Sequence, residues 1–217
     1  AHTPAAIGID IYMPEADGTS PGKVADNLPP EQRILAAQLR RLPSHDEQLA
    51  AALRRAPSVL GAAGFDVQSI ATVAGMRTHG IVVKGPDALP FVRHYPWVLA
   101  SLPELQAAAA GQALLSVDLA ESIVRRMPLV MSINDQLVPG LALEMLRVAT
   151  GSSAIELLTS AQSIDKVAVA DLTVPTQPNG DIWIHFAHEQ AGLHRNVSAA
   201  KVLAGQADPD LLTGKLV

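Results

Sequence analysis

Three charged residues stand at positions where the surrounding sequence is apolar. Asp10 falls inside the run Ala6-Ile7-Gly8-Ile9-Asp10-Ile11-Tyr12-Met13, which Pro14 closes, and Arg125 falls inside Ile123-Val124-Arg125-Arg126-Met127-Pro128-Leu129-Val130. Asp118 ends the run Leu114-Leu115-Ser116-Val117-Asp118. A charge in the middle of a buried strand has to be paired or hydrogen-bonded, and a guanidinium serves equally as counter-charge or as a clamp for an anion. Asp10, Arg125 and Asp118 are therefore expected to form a ligand-binding set. A buried polar pair of Asp10 and Arg125, with Asp118 shaping a turn, explains the same residues. If Asp10 lies near the carboxyl end of its strand, it borders the crevice in which open α/β sheets bind ligands.

Other motifs fail on inspection. His188-Glu189-Gln190-Ala191-Gly192 has Gly192 where a metalloprotease helix needs its second histidine. His185 and His188 are three apart, but His185 sits in an apparent strand, where side chains alternate faces. Gly61-Ala62-Ala63-Gly64 fits neither phosphate-binding pattern, and Gly214-Lys215 fails because position 209 is proline. No serine lies in a nucleophile-elbow context. Asn196-Val197-Ser198 matches a glycosylation sequon, which matters only in a eukaryotic secretory setting. No catalytic residue, metal site or cofactor is expected.

The 217 residues carry 16 basic and 21 acidic side chains, a formal charge of -5, with a pI near 5.8. Scattered basic residues at this pI do not make a nucleic-acid footprint. With 48% hydrophobic and 17% charged residues, there is material for one sizeable core. Only 3% of residues are aromatic, so that core must be built from Ala, Leu, Val and Ile, and no aromatic platform for bases or sugars is visible. The least polar stretch, Leu105 to Val117, includes Gln106, Gln112 and Ser116 and falls short of the ~20 apolar residues of a membrane span. The chain is expected to be soluble as it stands, with no signal peptide at its start. The absence of cysteine removes disulfides and thiol chemistry and suits a cytosol or a periplasm alike.

The elements that must position these residues read as follows. Ala6–Met13 is a buried strand, and Glu15 to Pro30 is a loop rich in Gly and Pro. Pro29-Pro30-Glu31 opens a helix with Ile34, Leu35, Leu39 and Leu42 at helical spacing, and Pro43 stops it. Ser44 with Glu47 is a capping box for a second helix carrying Leu49, Ala52 and Leu53. Val59–Ala63 follows as a strand, so the first strand and this one should be parallel with a right-handed crossover. Between Asp66 and Pro103 only Gly80–Lys84 reads as a strand. Pro103 starts a helix ending at Gly111. Leu114–Asp118 and Ile123–Val130 read as an antiparallel hairpin. Pro139 opens an apolar helix, closed by Gly151, that should be largely buried. Ile155–Leu158, Lys166–Val169, Leu172–Pro175 and Ile182–Phe186 read as strands, with a turn at Asn179-Gly180. Ser198 caps a helix through Leu203, and Lys215–Val217 looks like the first half of a strand. The fold class is α/β: a mixed, partly parallel sheet with helices on its faces, plus an antiparallel hairpin.

Taken in order, Gly8-Ile9-Asp10-Ile11-Tyr12 with Pro14-Glu15, Asp46-Glu47-Gln48-Leu49-Ala50-Ala51-Ala52-Leu53 and Ser58-Val59-Leu60 resemble the opening of a CHASE-type sensory domain of the second variety, a cyclase/histidine-kinase-associated sensory extracellular domain. The resemblance continues in Leu102-Pro103-Glu104-Leu105, Leu115-Ser116-Val117-Asp118, Ile123 to Leu129, Pro139-Gly140-Leu141-Ala142-Leu143-Glu144, Trp183-Ile184-His185-Phe186, Ser198 to Gly205, and Leu212-Thr213-Gly214-Lys215. It departs at Leu119-Ala120-Glu121-Ser122, where the family usually carries Asp-Gly, and residues 66–96 have no clear counterpart.

The resemblance implies a single extracytoplasmic sensory domain over residues 1–217, with the family's first and last elements clipped. It implies a bacterial transmembrane receptor, held in the membrane by flanking segments, whose output is first an adenylate or guanylate cyclase, with a histidine or Ser/Thr kinase as the alternative. The sensor would not itself be a catalyst. Its partner would be a small-molecule or periplasmic ligand, and the reading admits a homodimer; nucleic acid is not expected. Two other classes stay open: a stand-alone soluble α/β enzyme acting through Asp10, Arg125 and Asp118, and a ligand-free dimerisation module.

Overall fold

The computed structural model describes residues 3–68, 76–116, 123–187 and 196–217. Along the chain the described elements are β1 (Ile7–Ile9), α1 (Pro21–Asp26), α2 (Arg33–Leu39), α3 (His45–Leu53), β2 (Ser58–Phe65), β3 (Ile81–Lys84), β4 (Arg93–Tyr95), β5 (Trp97–Leu99), α4 (Pro103–Ala108), β6 (Gly111–Leu114), β7 (Arg126–Pro128), β8 (Val130–Ile133), β9 (Gln136–Pro139), α5 (Leu141–Thr150), β10 (Ile155–Thr159), β11 (Ile164–Val169), β12 (Leu172–Pro175), β13 (Asp181–Trp183) and α6 (Ala199–Leu203). Parallel and antiparallel pairs coexist with helices, so the fold is mixed α/β, as the sequence implied.

β2 organises the first sheet, and its first five residues are buried. β1 runs parallel to it, Ile7 opposite Ser58 and Ile9 opposite Leu60. β6 is also parallel, from Val59 opposite Gly111 to Ala62 opposite Leu114. The last three residues of β2 pair antiparallel with β5. Parallel neighbours need a crossover, and α3 supplies one between β1 and β2. Its start is set by the expected capping box: Glu47 N donates to Ser44 Oγ at 3.0 Å, and Ser44 N donates to the Glu47 carboxylate at 2.8 Å. Ala50 and Leu53 of α3 share one cluster with Leu60 and with Leu105 and Ala108 of α4. Burying Leu60 and Leu105 there stabilises by about 2 kcal/mol each. On the other side of β1 the chain returns: Ala5 N donates to Lys215 O at 2.8 Å, Val217 N to Ala6 O at 2.9 Å and Gly8 N to Val217 O at 2.7 Å.

The second sheet has the order β12-β11-β10-β3, with β3 parallel to β10 and the rest antiparallel. β4, β8 and β9 form a third sheet, and β7 and β13 a two-stranded ribbon. Leu129, Val130, Leu143, Ile155, Leu157, Ile164 and Val167 pack together as the core of this half. α5 packs on β1, β2 and β6 and also on β11, which makes it the element shared by the two sheets.

Several sequence expectations are corrected. The first strand ends at Ile9, not Met13, because the backbone leaves β2: Met13 N donates to Ser101 Oγ at 3.0 Å and Leu102 N to Met13 O at 2.8 Å. Ile11 and Tyr12 are exposed. The hairpin between residues 114–118 and 123–130 is not formed, since β6 pairs with β2 and β7 with β13. Antiparallel hairpins lie instead at β8–β9, around Asn134 (φ 44°), and at β10–β11 and β11–β12. The helix at 141–150 fully buries only Leu143, Glu144 and Arg147, so its buried face is part ionic. α2 buries only Ala36, leaving Ile34, Leu35 and Leu42 outside. β4 and β5 lie in the Pro-bearing stretch where no strand was read, because each is three residues long.

Candidate ligand-binding crevice

α5 crosses the first sheet at a row in which two of three strands carry glycine. Gly8, Val59 and Gly111 are register neighbours on β1, β2 and β6. A Cβ on Gly8 would stand 2.3 Å from Met145 Sδ, and one on Gly111 would stand 2.2 Å from Glu144 Oε1. The helix can approach this closely only because both positions lack a side chain.

Glu144 is wholly buried at that contact, and Arg147 grips it with two bonds, Nε to Oε2 at 2.8 Å and Nη2 to Oε1 at 2.7 Å. Arg147 also donates to Ser152 O at 3.0 Å and to Ala110 O at 3.2 Å. A bidentate fork with its remaining donors satisfied is the arrangement in which a buried pair is tolerated. Nδ1 of the half-exposed His79 lies 3.4 Å from Glu144 Oε1. The sequence reading missed this cluster, although Glu144-Met145-Leu146-Arg147, two opposite charges three apart on an apolar helix, carried the signal.

Beyond the glycine row, past the carboxyl ends of β1 and β6, a crevice of about 210 Å³ opens. Leu114 and Leu115 wall it from β6, Met127, Pro128 and Leu129 from the β7 side, and Leu141, Leu143 and Met145 from α5. Asp10, one residue past β1, stands at it with its side chain exposed. No partner for its carboxylate is found among the described residues. A smaller apolar hollow of about 110 Å³ adjoins this crevice, sharing Leu129, Ala142 and Leu143. The crevice's own volume of about 210 Å³ exceeds the ~150 Å³ cavity that holds benzene, so it suits a molecule of about that size or a little more.

A wider depression of about 420 Å³ lies between the loop at Ala16–Ser20, α1 and the start of α3. Its charges largely answer one another. Arg40 meets Asp26 at 3.0 Å, and His45 Nδ1 meets Asp17 at 2.8 Å. Asp17 also accepts from Thr19 N and Thr19 Oγ1, each at 2.7 Å. Those Thr19 bonds, with a smaller contribution from His45, hold the Asp17 carboxyl down to about 2. With no apolar wall of the crevice's kind, this depression is the weaker candidate.

Of the three residues singled out from the sequence, Asp10 and Arg125 are among the described residues. Asp10 borders the crevice but is not buried. Arg125 precedes β7 and is exposed, with its carbonyl accepting from Ile184 N at 2.9 Å. Among the described residues no ion pair joins Arg125 to Asp10. Asp118 and His188 lie outside the described residues. Gly61 and Gly64 are interior to β2, where Leu115 and the ring of Tyr95 occupy the space of their missing side chains. Among the described residues, no group of three or more His, Asp or Glu is placed to hold a metal ion.

The model of the CHASE2 domain family matches residues 1–217, the whole chain. The chain belongs to the CHASE2 family. CHASE2 is a sensory extracellular domain of cyclase- and kinase-type receptors, so the resemblance read from the ordered motifs is borne out. No curated protein and no solved structure matches the chain. Among the described residues of this CHASE2 domain, no helix is long and apolar enough to cross a membrane.

Proposed function

We propose that this CHASE2 domain is the extracytoplasmic input of a transmembrane receptor with a cyclase or kinase output, and that it senses a small, largely apolar amine. Flanking segments would hold it in the membrane, and the enzyme activity would reside in the output module. One observation carries the ligand reading: an apolar crevice at the carboxyl ends of parallel strands, with the unpartnered carboxylate of Asp10 as its polar group. A carboxylate there takes a cationic head while leucine and methionine side chains cover the body. The crevice is bounded by β6, the β7 ribbon and α5. A ligand filling it favours the arrangement in which these elements are closed on it, and such differential affinity is what a sensory switch requires.

Thermal unfolding of the 217-residue chain with phenethylamine and with phenylacetate tests this. Phenethylamine should raise Tm in a concentration-dependent way, phenylacetate should not, and Asp10→Asn should remove the difference without lowering Tm in the absence of ligand. Equal shifts with both compounds, or none with either, would overturn the amine reading while leaving the family membership intact.

A further inference from the structure

We infer that the crevice at Asp10 and the apolar hollow beside it are two parts of one site, and that its ligand is a primary amine with a long unbranched hydrocarbon tail. The inference rests on the amine reading of the crevice and adds the tail to it. α5 divides its side chains between the two spaces. Leu141 and Met145, four apart and so on one side of the helix, line the crevice, while Ala142 and Leu146, the next such pair, line the hollow. Leu129, Ala142 and Leu143 line both. Ala142 has the smallest side chain of the three and is exposed, so a chain passes from one space to the other over a single methyl group.

The lining decides what fills the hollow. Beyond the shared residues and Leu146, its walls are Val167 and Val169 of β11, Leu172 and Val174 of β12 and Ile182 of β13, so every side chain there is aliphatic. A bound water needs several polar partners, and none of these side chains supplies one. A cationic head is excluded on the same ground, so the head stays at Asp10 and the hollow takes hydrocarbon. At the ~25 Å³ per carbon that a benzene-filled cavity of ~150 Å³ implies, the crevice of about 210 Å³ takes roughly eight carbons and the hollow of about 110 Å³ roughly four more. Leu172, 48% exposed, stands where the hollow meets solvent. Leu114 of the first sheet walls the crevice, and β11 and β12 of the second wall the hollow. A long-tailed amine therefore touches both sheets at once, whereas a short one reaches only the first.

Calorimetric titration of the 217-residue chain with straight-chain primary amines from butylamine to tetradecylamine, and with phenethylamine, tests it. Affinity should rise by about fourfold per methylene, continue past octylamine and level off near dodecylamine. Asp10→Asn should weaken every member of the series by the same factor. Leu172→Trp, at an exposed position, should cap the hollow and stop the rise near octylamine while leaving phenethylamine affinity unchanged. Val174→Ala enlarges the hollow and should move the levelling-off to longer chains. Circular dichroism keeps unfolding of either variant separate from loss of binding. Phenethylamine binding together with a rise that stops at octylamine in the parent chain overturns the inference and leaves the amine reading standing. A rise past octylamine that neither Leu172→Trp nor Val174→Ala moves also overturns it, because the tail then lies elsewhere. Absence of binding by every amine, phenethylamine included, removes the amine reading itself and the inference with it.

Discussion

Gly111 and Glu144 occupy one space: a Cβ on the glycine would fall 2.2 Å from the buried carboxylate oxygen. A buried charge, a close helix approach and a strand glycine are thus a single device, and each part can be tested separately.

Gly111→Ala should destabilise the domain by about 1–3 kcal/mol, the range for overpacking a tight interior. The backbone of β6 is fixed by pairing to β2, so the strain falls on Glu144 and its partners. Urea unfolding should show a lower midpoint at constant slope; an unchanged midpoint would mean that α5 shifts freely.

Arg147→Met removes one side of the buried pair and leaves Glu144 uncompensated, at a cost of about 3–5 kcal/mol. Combining it with Glu144→Gln removes the stranded charge, so the double variant should be more stable than the sum of the singles implies. Strict additivity in the cycle would show that the two side chains act independently.

Ala142 lines the crevice and is exposed, so Ala142→Trp should fill it while leaving the fold in place. The Tm increment from phenethylamine should then vanish, with the Tm of the unliganded variant within a few degrees of the parent. Retention of the increment would place the amine elsewhere.

The Asp17 carboxyl, held near 2 by Thr19 and then His45, gives a pH signature of known sign. A carboxyl depressed in the folded state stabilises it fully above its ordinary value, near 3.8. That contribution is lost as pH falls toward about 2. In Thr19→Val the Asp17 carboxyl resonance should titrate closer to its ordinary value. A titration identical to the parent would show that Thr19 is not the main cause.

Most of the local structure was legible because it rests on local signals. Ser44 and Glu47 specify the start of α3 by themselves, Gly151 (φ 67°) ends α5, and Asn179-Gly180 turns the chain into β13. What failed depends on partners distant in sequence. Asp10 looked buried because Ile11 and Tyr12 follow it, yet the chain is drawn off the sheet by Ser101. The stretches 111–114 and 126–128 looked like neighbours, but register with Ser58–Phe65 and with Asp181–Trp183 claims them separately. At α2 the apolar spacing was read correctly and its direction was not, because periodicity reports a face without saying which side of the molecule it meets.

The two partners of β1 have a consequence for the order of folding. Residues 58–60 fill one of its edges and residues 215–217 the other, so both contacts are distant in sequence and the second closes nearly the whole chain into a loop. Long-range pairing of this kind is slow to form. Amide protection at Ile7–Ile9 should therefore appear after that of the β10–β11–β12 meander, whose strands are consecutive, and the parallel sheet that positions the crevice should be the last part of the domain to lock.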